Sequence, residues 1–589
     1  MTVIQPSPVH QQLSSRLSQI KAGLAKGYHR WQTLQVSYRG HKYSVERLLA
    51  LDEYTRTTSP VRVTLVVCGT LAPMVVLVIS QESIPLNDPT EGWRANYGFW
   101  VRVGVMAGIV SCTLAVQANS IIHTAAITPR HLILLGICLS LSYPFISMGI
   151  AAFVGFPIPF FALSTIPIFF LLLILWFSLI IGRNNIRKMF QKSDEMQMFV
   201  KFICAQMLLP VVYPIYEVLF SAASNTYFEL PVIILLSIMK VLMKNVIAVA
   251  LVGMEDKLPE AVILTVDFFH AVYLTTCMQS TRSAVTLAII ITVDGSQSIF
   301  MLLGLHRRSQ VTLIRAKRAA GMTSNTESLV TLLHLICSSS DKLTRQNLSG
   351  IQVNSCLHHT LDRPSRNLLN RMKKLLQSGS VSRKSSRSSS SAYGSRLLSS
   401  PIIPLRKLRF WIKLSGWRQH ANSIQPFSPT FTFVQPSPGR VTARKNNSLV
   451  FYRSNILRDG LQALFTSECL VLASYLHTSI AMFYATFIVV MVYLPSARYH
   501  TELRGVTREN VAATVESVFI FGAFEFVSFA LLAVMMRHKY GMNAFYQLAF
   551  VLETQVTLIQ SKVMMWMLII LAFRVVHFGV DFTLRFAWI

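Results

Sequence analysis

The sequence predicts an all-α, polytopic membrane protein with about 10–11 transmembrane helices in two bundles. Hydrophobic residues make up 52% of its 589 residues and charged residues only 14%, unlike the balance of a soluble domain. The apolar residues are gathered into runs of about 20, the length that crosses the hydrocarbon of a bilayer as a helix. A long basic segment separates these runs into two groups.

The apolar runs define the predicted spans and domains. The spans fall at residues 61–80, 99–120, 132–155, 159–182, 202–224, 231–254, 261–280, 283–305, 469–494, 513–536 and 563–586. The predicted domains are an N-terminal region (1–60), an eight-helix bundle (61–305), a largely disordered loop (306–460) and a C-terminal bundle of three helices (461–589). Residues 543–562 are apolar but interrupted by glutamines and a glutamate, which favours an interfacial helix.

The distribution of charge orients the chain in the membrane. The loop 306–460 holds 26 Lys and Arg against four Asp and Glu, which accounts for +22 of the net charge of +29. Because basic residues beside spans stay on the cytoplasmic side, this loop and the N-terminus are predicted to be cytoplasmic. The basic charge is tethered to the membrane, so the bilayer is the predicted partner and nucleic acid is not.

Cysteine usage and short motifs exclude several function classes. Six of the eight cysteines lie in apolar runs, and no Cys/His spacing suggests a disulfide framework or a zinc site. The sequence contains no catalytic, nucleotide-binding or cofactor-binding motif. We therefore predict no cofactor and no metal site, and enzymatic activity is not favoured.

The main candidate site is a set of ionisable residues in the sixth to eighth spans. Lys240 and Lys244 lie four residues apart on one helix face, and Asp267 and His270 lie at a comparable depth on the next span. Asp294 lies in the middle of the eighth span. Charges at membrane depth are costly and usually face a cavity or a partner. They predict either an ion or proton pathway or a buried network that only holds the bundle together.

A second stripe is predicted in the last span. Arg574, His577, Asp581 and Arg585 would share one face of a continuous helix, with Glu516 and Glu525 of the tenth span as partners at membrane depth. A packing role and a functional role are equally consistent with this stripe. His477, in the ninth span, stands alone in the sequence and is predicted to be a core histidine.

The basic loop contains three interpretable parts. A capping box at 324–327 opens an amphipathic helix with Leu329, Leu332, Leu333 and Ile336 on one face. The Ser-rich stretch 378–400 and the residues after it carry candidate phosphorylation sites at Ser385, Ser386, Ser400, Ser428 and Ser437.

The third part, residues 405–418, is named here the basic segment. Its basic and aromatic residues form an amphipathic pattern that predicts binding to anionic lipids of the inner leaflet, through Arg406, Lys407, Arg409, Trp411 and Lys413. Phosphates added by a kinase would weaken this attraction, and a calmodulin-like partner is the alternative.

Several stretches resemble a large, uncharacterised multi-pass transmembrane family of oomycete type. They include SVERLLALDEY (44–54), QESIPLNDPTEGWRANYGFW (81–100), EAVILTVDFFHAVYLTTCMQS (260–280), YQLAFVLE (546–553) and HFGVDFTLRFAW (577–588). The resemblance covers both bundles but not the basic loop, and it implies no activity.

The residues themselves favour a transporter or channel-like protein with a polar intramembrane pathway and a regulatory loop. The alternative is a membrane receptor or scaffold that signals through its loop, and a lipid-modifying enzyme is the third hypothesis.

Overall fold

The computed structural model describes residues 43–122, 127–223, 226, 228–251, 254–281, 284–320, 328–338, 351–357, 359–385 and 441–580. Ser385 is the last residue of a helix. The other predicted loop sites and two residues of the predicted stripe lie outside these ranges: Ser386, Ser400, Ser428, Ser437, Arg406, Lys407, Arg409, Trp411, Lys413, Asp581 and Arg585.

The described residues form a succession of α-helices. The helices before the loop are α1 Val45–Thr57, α2 Pro60–Gly69, α3 Ala72–Glu82, α4 Gly92–Ala95, α5 Tyr97–Ile121, α6 Pro129–Val154, α7 Phe161–Ser164, α8 Ile166–Ile181, α9 Arg183–Gln191, α10 Ser193–Met207, α11 Leu209–Ala223, α12 Glu229–Ala250, α13 Leu258–Val262 and α14 Phe268–Ser280. The remaining helices are α15 Ala284–Ala320, α16 Leu329–Ser338, α17 Arg363–Ser385, α18 Val441–Met491, α19 Val511–Tyr540, α20 Ala544–Thr554 and α21 Val556–Ala572.

The predicted all-α, polytopic fold class is confirmed. Among the described residues, nine helices are long and apolar enough to cross a membrane, and the number rises to 11 if each of two bent helix pairs counts as one span. The bent pairs are α8 with α9, at 110°, and α20 with α21, at 84°. The chain is therefore an integral membrane protein whose spans are helices.

The last span differs from the prediction. The helix α21 ends at Ala572, so a continuous span over 563–586 is wrong. The chain leaves the helix because Val575 forms a β-bridge with His500, and the Arg574 carbonyl accepts the Thr501 N–H at 2.9 Å. Residues 543–562, predicted as one interfacial helix, are divided between α20, which ends at Thr554, and α21, which begins at Val556.

The two groups of helices pack together into a common bundle. The helix α21 packs against α3 and α5, and α18 packs against α14, α15 and α19. Glycines allow α5 and α6 to approach each other closely. A Cβ on Gly104 would lie 2.7 Å from the Ser140 carbonyl oxygen, and one on Gly108 would lie 2.3 Å from Ser140 Oγ. This GxxxG spacing is typical of close helix packing in membranes.

Ordered structure extends into both ends of the region predicted as a loop. The helix α15 continues to Ala320, and α18 begins at Val441. The amphipathic helix predicted after residue 327 is observed as α16, and it buries the four predicted apolar residues Leu329, Leu332, Leu333 and Ile336. The N-terminal region also contributes a packed helix, α1, whose Val45, Leu48 and Leu49 are fully buried.

The ends of the bundle are named here by one residue each. The Glu82 end contains the turn after α3, residues 495–510 and residues 573–580, which are joined by hydrogen bonds such as Ser496 Oγ to the Glu82 carbonyl at 2.7 Å. The Glu260 end contains α1 and the turn before α13, where the Ser44 N–H donates to Asp256 at 3.2 Å. The helices that run from one end to the other form the membrane-spanning part of the bundle.

Candidate functional site

Two buried helices, α13 and α14, lie at the centre of the site. The segment Leu258–Ser280 is long enough to span a membrane, and its most apolar window is completely buried inside the bundle. Between the two α-helices the chain forms a π-helical turn, Ile263–Asp267. Such turns shift the register of a helix and are frequent at functional sites. The turn ends on Asp267, whose carboxylate therefore faces the interior rather than lipid.

Two lysines of α12 meet this carboxylate. Lys244 Nζ lies 2.8 Å from Asp267 Oδ2, and Lys240 Nζ lies 3.5 Å from Asp267 Oδ1. Asp267 is 0% exposed. Since Lys240 and Lys244 are one helical turn apart, both ammonium groups reach the same carboxylate. The prediction that these residues come together is confirmed by these distances.

A second carboxylate, Asp294 of α15, lies on the other side of Lys240. Lys240 Nζ is 3.8 Å from Asp294 Oδ1, and His270 Nε2 is 3.6 Å from the same oxygen. His477 of α18 lies between the two carboxylates, 3.8 Å from Asp267 and 3.9 Å from Asp294. His477 is buried, as predicted for a core histidine, but it does not stand alone.

Glu525 of α19 completes this group. Its carboxylate, Asp294 and His477 offer three ligand atoms that all lie within 4.8 Å of one another. Glu525 was predicted to pair with the last helix, but the nearest ionisable groups are those of α15 and α18. We name the seven residues from these helices the central cluster: Lys240, Lys244, Asp267, His270, Asp294, His477 and Glu525.

The central cluster contains more acidic than basic groups. Its three carboxylates face two ammonium groups, so one negative charge is uncompensated when all three carboxylates are ionised and both imidazoles are neutral. Within the described residues, Asp294 Oδ2 and both ring nitrogens of His270 are buried without a hydrogen bond. Buried polar atoms without partners are costly, and they are found where a proton, an ion or water is expected. The arrangement can therefore hold an additional proton or a cation.

A second charged network lies nearer the Glu82 end. Arg574 contacts the Glu502 carboxylate and donates to Tyr484 Oη at 3.0 Å and Thr276 Oγ1 at 2.6 Å. The Tyr484 hydroxyl donates to Glu502 at 2.7 Å. Arg574 is thus buried in the protein, but it follows the helix instead of belonging to a stripe on it.

His577 occupies a different place from Arg574. Its Nε2 lies 2.7 Å from the Asn87 carbonyl and 3.2 Å from Asn96 Oδ1, in the loops of the Glu82 end. Burial lowers the pKa of His577 to about 4, and its Nδ1 has no hydrogen-bond partner among the described residues. The neutral ring donates through Nε2, so His577 is a structural contact between loops rather than part of an intramembrane stripe. The predicted stripe assumed that the helix continues through His577, and no sequence pattern indicates that α21 ends at Ala572.

The network continues across the Glu82 end. His500 Nε2 lies 3.1 Å from the Glu82 carboxylate, and Arg102 donates to the same carboxylate at 2.7 Å. Arg102 also donates to Ser496 Oγ at 2.6 Å. These side chains are almost completely buried, and each charged group has an opposite partner. The network ties α3 and α5 to the 495–510 loop.

A cavity of about 860 Å³ lies beside Arg574 and its partners. It extends between α11, α14, α15 and α19, and its polar lining residues include Glu217, Thr276, Gln279, Glu502, Arg504 and Glu516. Glu516 and Arg504 are exposed, so the cavity reaches the protein surface. Glu516 therefore lines an entrance and does not contact the charges of the last helix in the way that was predicted.

The Glu260 end is closed by buried ion pairs. Arg47 of α1 donates to Glu468 of α18 at 2.6 Å and to the Asp256 carbonyl at 2.6 Å. Lys562 of α21 donates to Glu260 at 2.8 Å. All four charged side chains are about 1% exposed. The end opposite the cavity is consequently sealed by paired charges.

The fold and this geometry define the class of the protein as a polytopic helical membrane protein with a buried cluster of ionisable groups. No family model, no curated protein and no solved structure matches the chain.

Proposed function

We propose that the protein is a transporter that moves protons or small cations, with the central cluster as its site at mid-membrane. The observation that carries this proposal is the convergence of seven ionisable side chains from several helices on the wholly buried Leu258–Ser280 segment. A network that only stabilised the bundle would have matched charges. The central cluster instead contains three carboxylates and two lysines.

The cavity supports access from one side. Thr276 and Cys277 line its wall and lie on the same helix as His270, six and seven residues further along. At 1.5 Å per residue, this separation is about 9–10 Å along the helix axis. Thr276 Oγ1 lies 3.4 Å from the hydroxyl of Tyr484, which follows His477 by seven residues on α18. Closure at the Glu260 end and a cavity at the other fit one state of an alternating-access cycle.

The direction of access follows from the charge of the loops. The Glu260 end is continuous with α15, α16 and α18, which lead into the strongly basic 306–460 region. By the positive-inside rule we place this end in the cytoplasm and the cavity on the opposite side of the membrane.

The loop is physically joined to the closed end, which favours a regulatory role for it. The Val45 and Glu46 N–H groups of α1 donate to the carbonyls of Gln352 and Val353 at 3.0 and 3.1 Å. His334 of α16 lies 2.5 Å from Asp52 of α1. Kinase, calmodulin-like or anionic-lipid binding to the loop would therefore act on the helix that carries Arg47. These contacts also suit the alternative, a receptor or scaffold that signals through its loop.

Reconstituted liposomes test the proposal. A proton flux, followed with a trapped pH dye under a potassium diffusion potential, should be present in the wild type and lost in Asp267→Asn and Asp294→Asn. The control is Glu509→Gln, an exposed carboxylate before α19 that should leave the flux unchanged.

The same preparations separate the alternatives. Size-exclusion profiles and thermal midpoints show whether each variant is folded. Flux that survives in well-folded Asp267→Asn and Asp294→Asn liposomes would contradict a transport role for the cluster. If the wild type carries no flux of protons, sodium or divalent cations, the proposal is wrong. A cellular response that is lost on deletion of residues 386–418, in a protein without flux, would instead support the receptor.

A further inference from the structure

We propose that Asp294, His477 and Glu525 bind one divalent transition-metal cation. These residues come from three different helices, α15, α18 and α19, and all three side chains are buried. The inference deepens the proposed function, on which it rests for the route of entry, because it names the cation that the central cluster recognises.

The distances between the three groups suit a shared metal ion. Asp294 Oδ2 and His477 Nδ1 are 3.9 Å apart, and the three ligand atoms all lie within 4.8 Å of one another. Oxygen and nitrogen ligands bind zinc at about 2.0–2.2 Å, so three ligands of one tetrahedral ion are separated by about 3.4 Å. Side-chain shifts of roughly 1 Å would therefore close the site around an ion, while the helices stay where they are.

The ligand set selects the class of cation. One imidazole and two carboxylates suit zinc, manganese or ferrous iron better than calcium or magnesium, which prefer oxygen ligands alone. Asp294 Oδ2 has no hydrogen-bond partner in the described structure, and it faces the ring nitrogen of His477. A metal ion bound at this position would provide the partner that this buried oxygen lacks.

Residues around the three ligands support the same assignment. The other ring nitrogen of His477, Nε2, lies 3.8 Å from Asp267 Oδ1. In the structure this nitrogen also lies 3.4 Å from the Lys240 ammonium, which can only donate. With Nδ1 on the metal and Lys240 displaced, the Nε2–H would point towards the Asp267 carboxylate. A carboxylate behind a metal-binding histidine fixes its tautomer and raises its basicity. Asp267 is thus a positioning residue for the metal and not one of its ligands.

Lys240 determines how the site is held when no metal is bound. Its ammonium lies 3.8 Å from Asp294 and 3.4 Å from His477, where it compensates the carboxylates. A divalent cation at the three ligands would repel this ammonium, which has a second acceptor in Asp267 at 3.5 Å. Metal and lysine therefore compete for the same charge, so entry of the cation shifts Lys240 towards Asp267.

Cobalt(II) is a suitable probe, because its visible absorption reports nitrogen and oxygen ligation. The full-length protein, purified in detergent and stripped with a chelator, should bind about one cobalt ion per chain and release it to added zinc. His477→Gln and Glu525→Gln should weaken binding more than about 100-fold, since loss of an outer partner alone costs about 10- to 100-fold. His538→Gln and Glu509→Gln, both exposed, are the matched controls and should bind as the wild type does.

Lys240→Met gives the discriminating result. Removal of the competing ammonium should tighten cobalt binding by about tenfold or more, the opposite direction from the ligand variants. A lysine that only stabilised the fold would not produce tighter binding. Thermal midpoints provide a second readout: zinc should raise the midpoint of the wild type and of Lys240→Met, but not that of Glu525→Gln.

Binding that is unchanged in His477→Gln and Glu525→Gln, or the absence of a cobalt spectrum in the wild type, would overturn the inference. The two proposals fail separately. A proton flux that requires Asp267 in a protein that binds no cobalt would refute the metal site and leave the transporter intact. Stoichiometric cobalt binding through His477 in a protein without any flux would establish a resident metal site and refute transport.

Discussion

Replacing Arg47 with Met removes a buried charge that joins the N-terminal region to α18. Arg47 and Glu468 are each about 1% exposed and meet at 2.6 Å. Removal of one partner of a buried pair leaves an uncompensated charge and costs about 3–5 kcal/mol. We expect Arg47→Met to lower the free energy of unfolding by this amount. The same change should loosen the Glu260 end, because Arg47 also donates to the Asp256 carbonyl.

Unfolding by SDS in mixed micelles, followed by tryptophan fluorescence, measures this change. Arg56→Met is the control on the same helix, since Arg56 pairs with Asp52 but its side chain is 57% exposed. Exposed pairs contribute at most about 1 kcal/mol. The double variant Arg47→Met/Glu468→Met should recover at least about half of the loss, because no charge remains unpaired. Equal stability of Arg47→Met and Arg56→Met, or a double variant less stable than the single one, would contradict a stabilising buried pair between Arg47 and Glu468.

Three further predictions test other parts of the structure. Gly104→Ala should destabilise the bundle, because its Cβ would press on a backbone oxygen, whereas Gly149→Ala, which meets nothing within 4 Å, should not; detergent thermal midpoints compare them. The neutral His577 ring, with its pKa lowered to about 4 against about 6.5 when unfolded, should contribute stability that is complete above about pH 6.5 and falls by at most about 3 kcal/mol towards pH 4. His577→Gln, which keeps a donor but cannot titrate, should flatten this pH dependence in SDS titrations, and an unchanged slope would contradict the assignment. In a peptide of the basic segment, Lys407→Gln with Arg409→Gln should weaken binding to phosphatidylserine vesicles by about 2 kcal/mol, measured by sedimentation, with no change on neutral vesicles.

The five ionisable residues predicted in spans six to eight could be identified from the sequence. The depth of a residue in its span follows from the number of residues that separate it from the end of that span. Lys240, Lys244 and Asp267 lie on consecutive helices joined by a short turn, so their distances from that turn give their relative depth. Asp294 lies on the following helix and was found in the same way. His477 was missed because it is 237 residues from Lys240, and no local pattern indicates which span packs beside α12.

In the last span, by contrast, the sequence predicted a helix that extends too far. Arg574 and His577 follow helical spacing, but spacing cannot reveal that α21 ends at Ala572. The end is set by the bridge between Val575 and His500 and by the Thr501 N–H bonded to the Arg574 carbonyl, contacts made with another loop. A helical pattern can thus continue in sequence beyond the point where the chain finds better partners elsewhere.

By itself, the sequence determined that this chain crosses the membrane many times as helices, and that charged residues lie within those spans. Hydropathy and span length are local properties, and a bilayer imposes them on each segment separately. Only the tertiary structure decided which charges meet. It brought Asp294, His477 and Glu525 together from three helices, closed one end of the bundle with Arg47, and left a cavity near the other. The reason is physical: a buried charge requires a partner in space, and that partner can come from any helix that packs beside it.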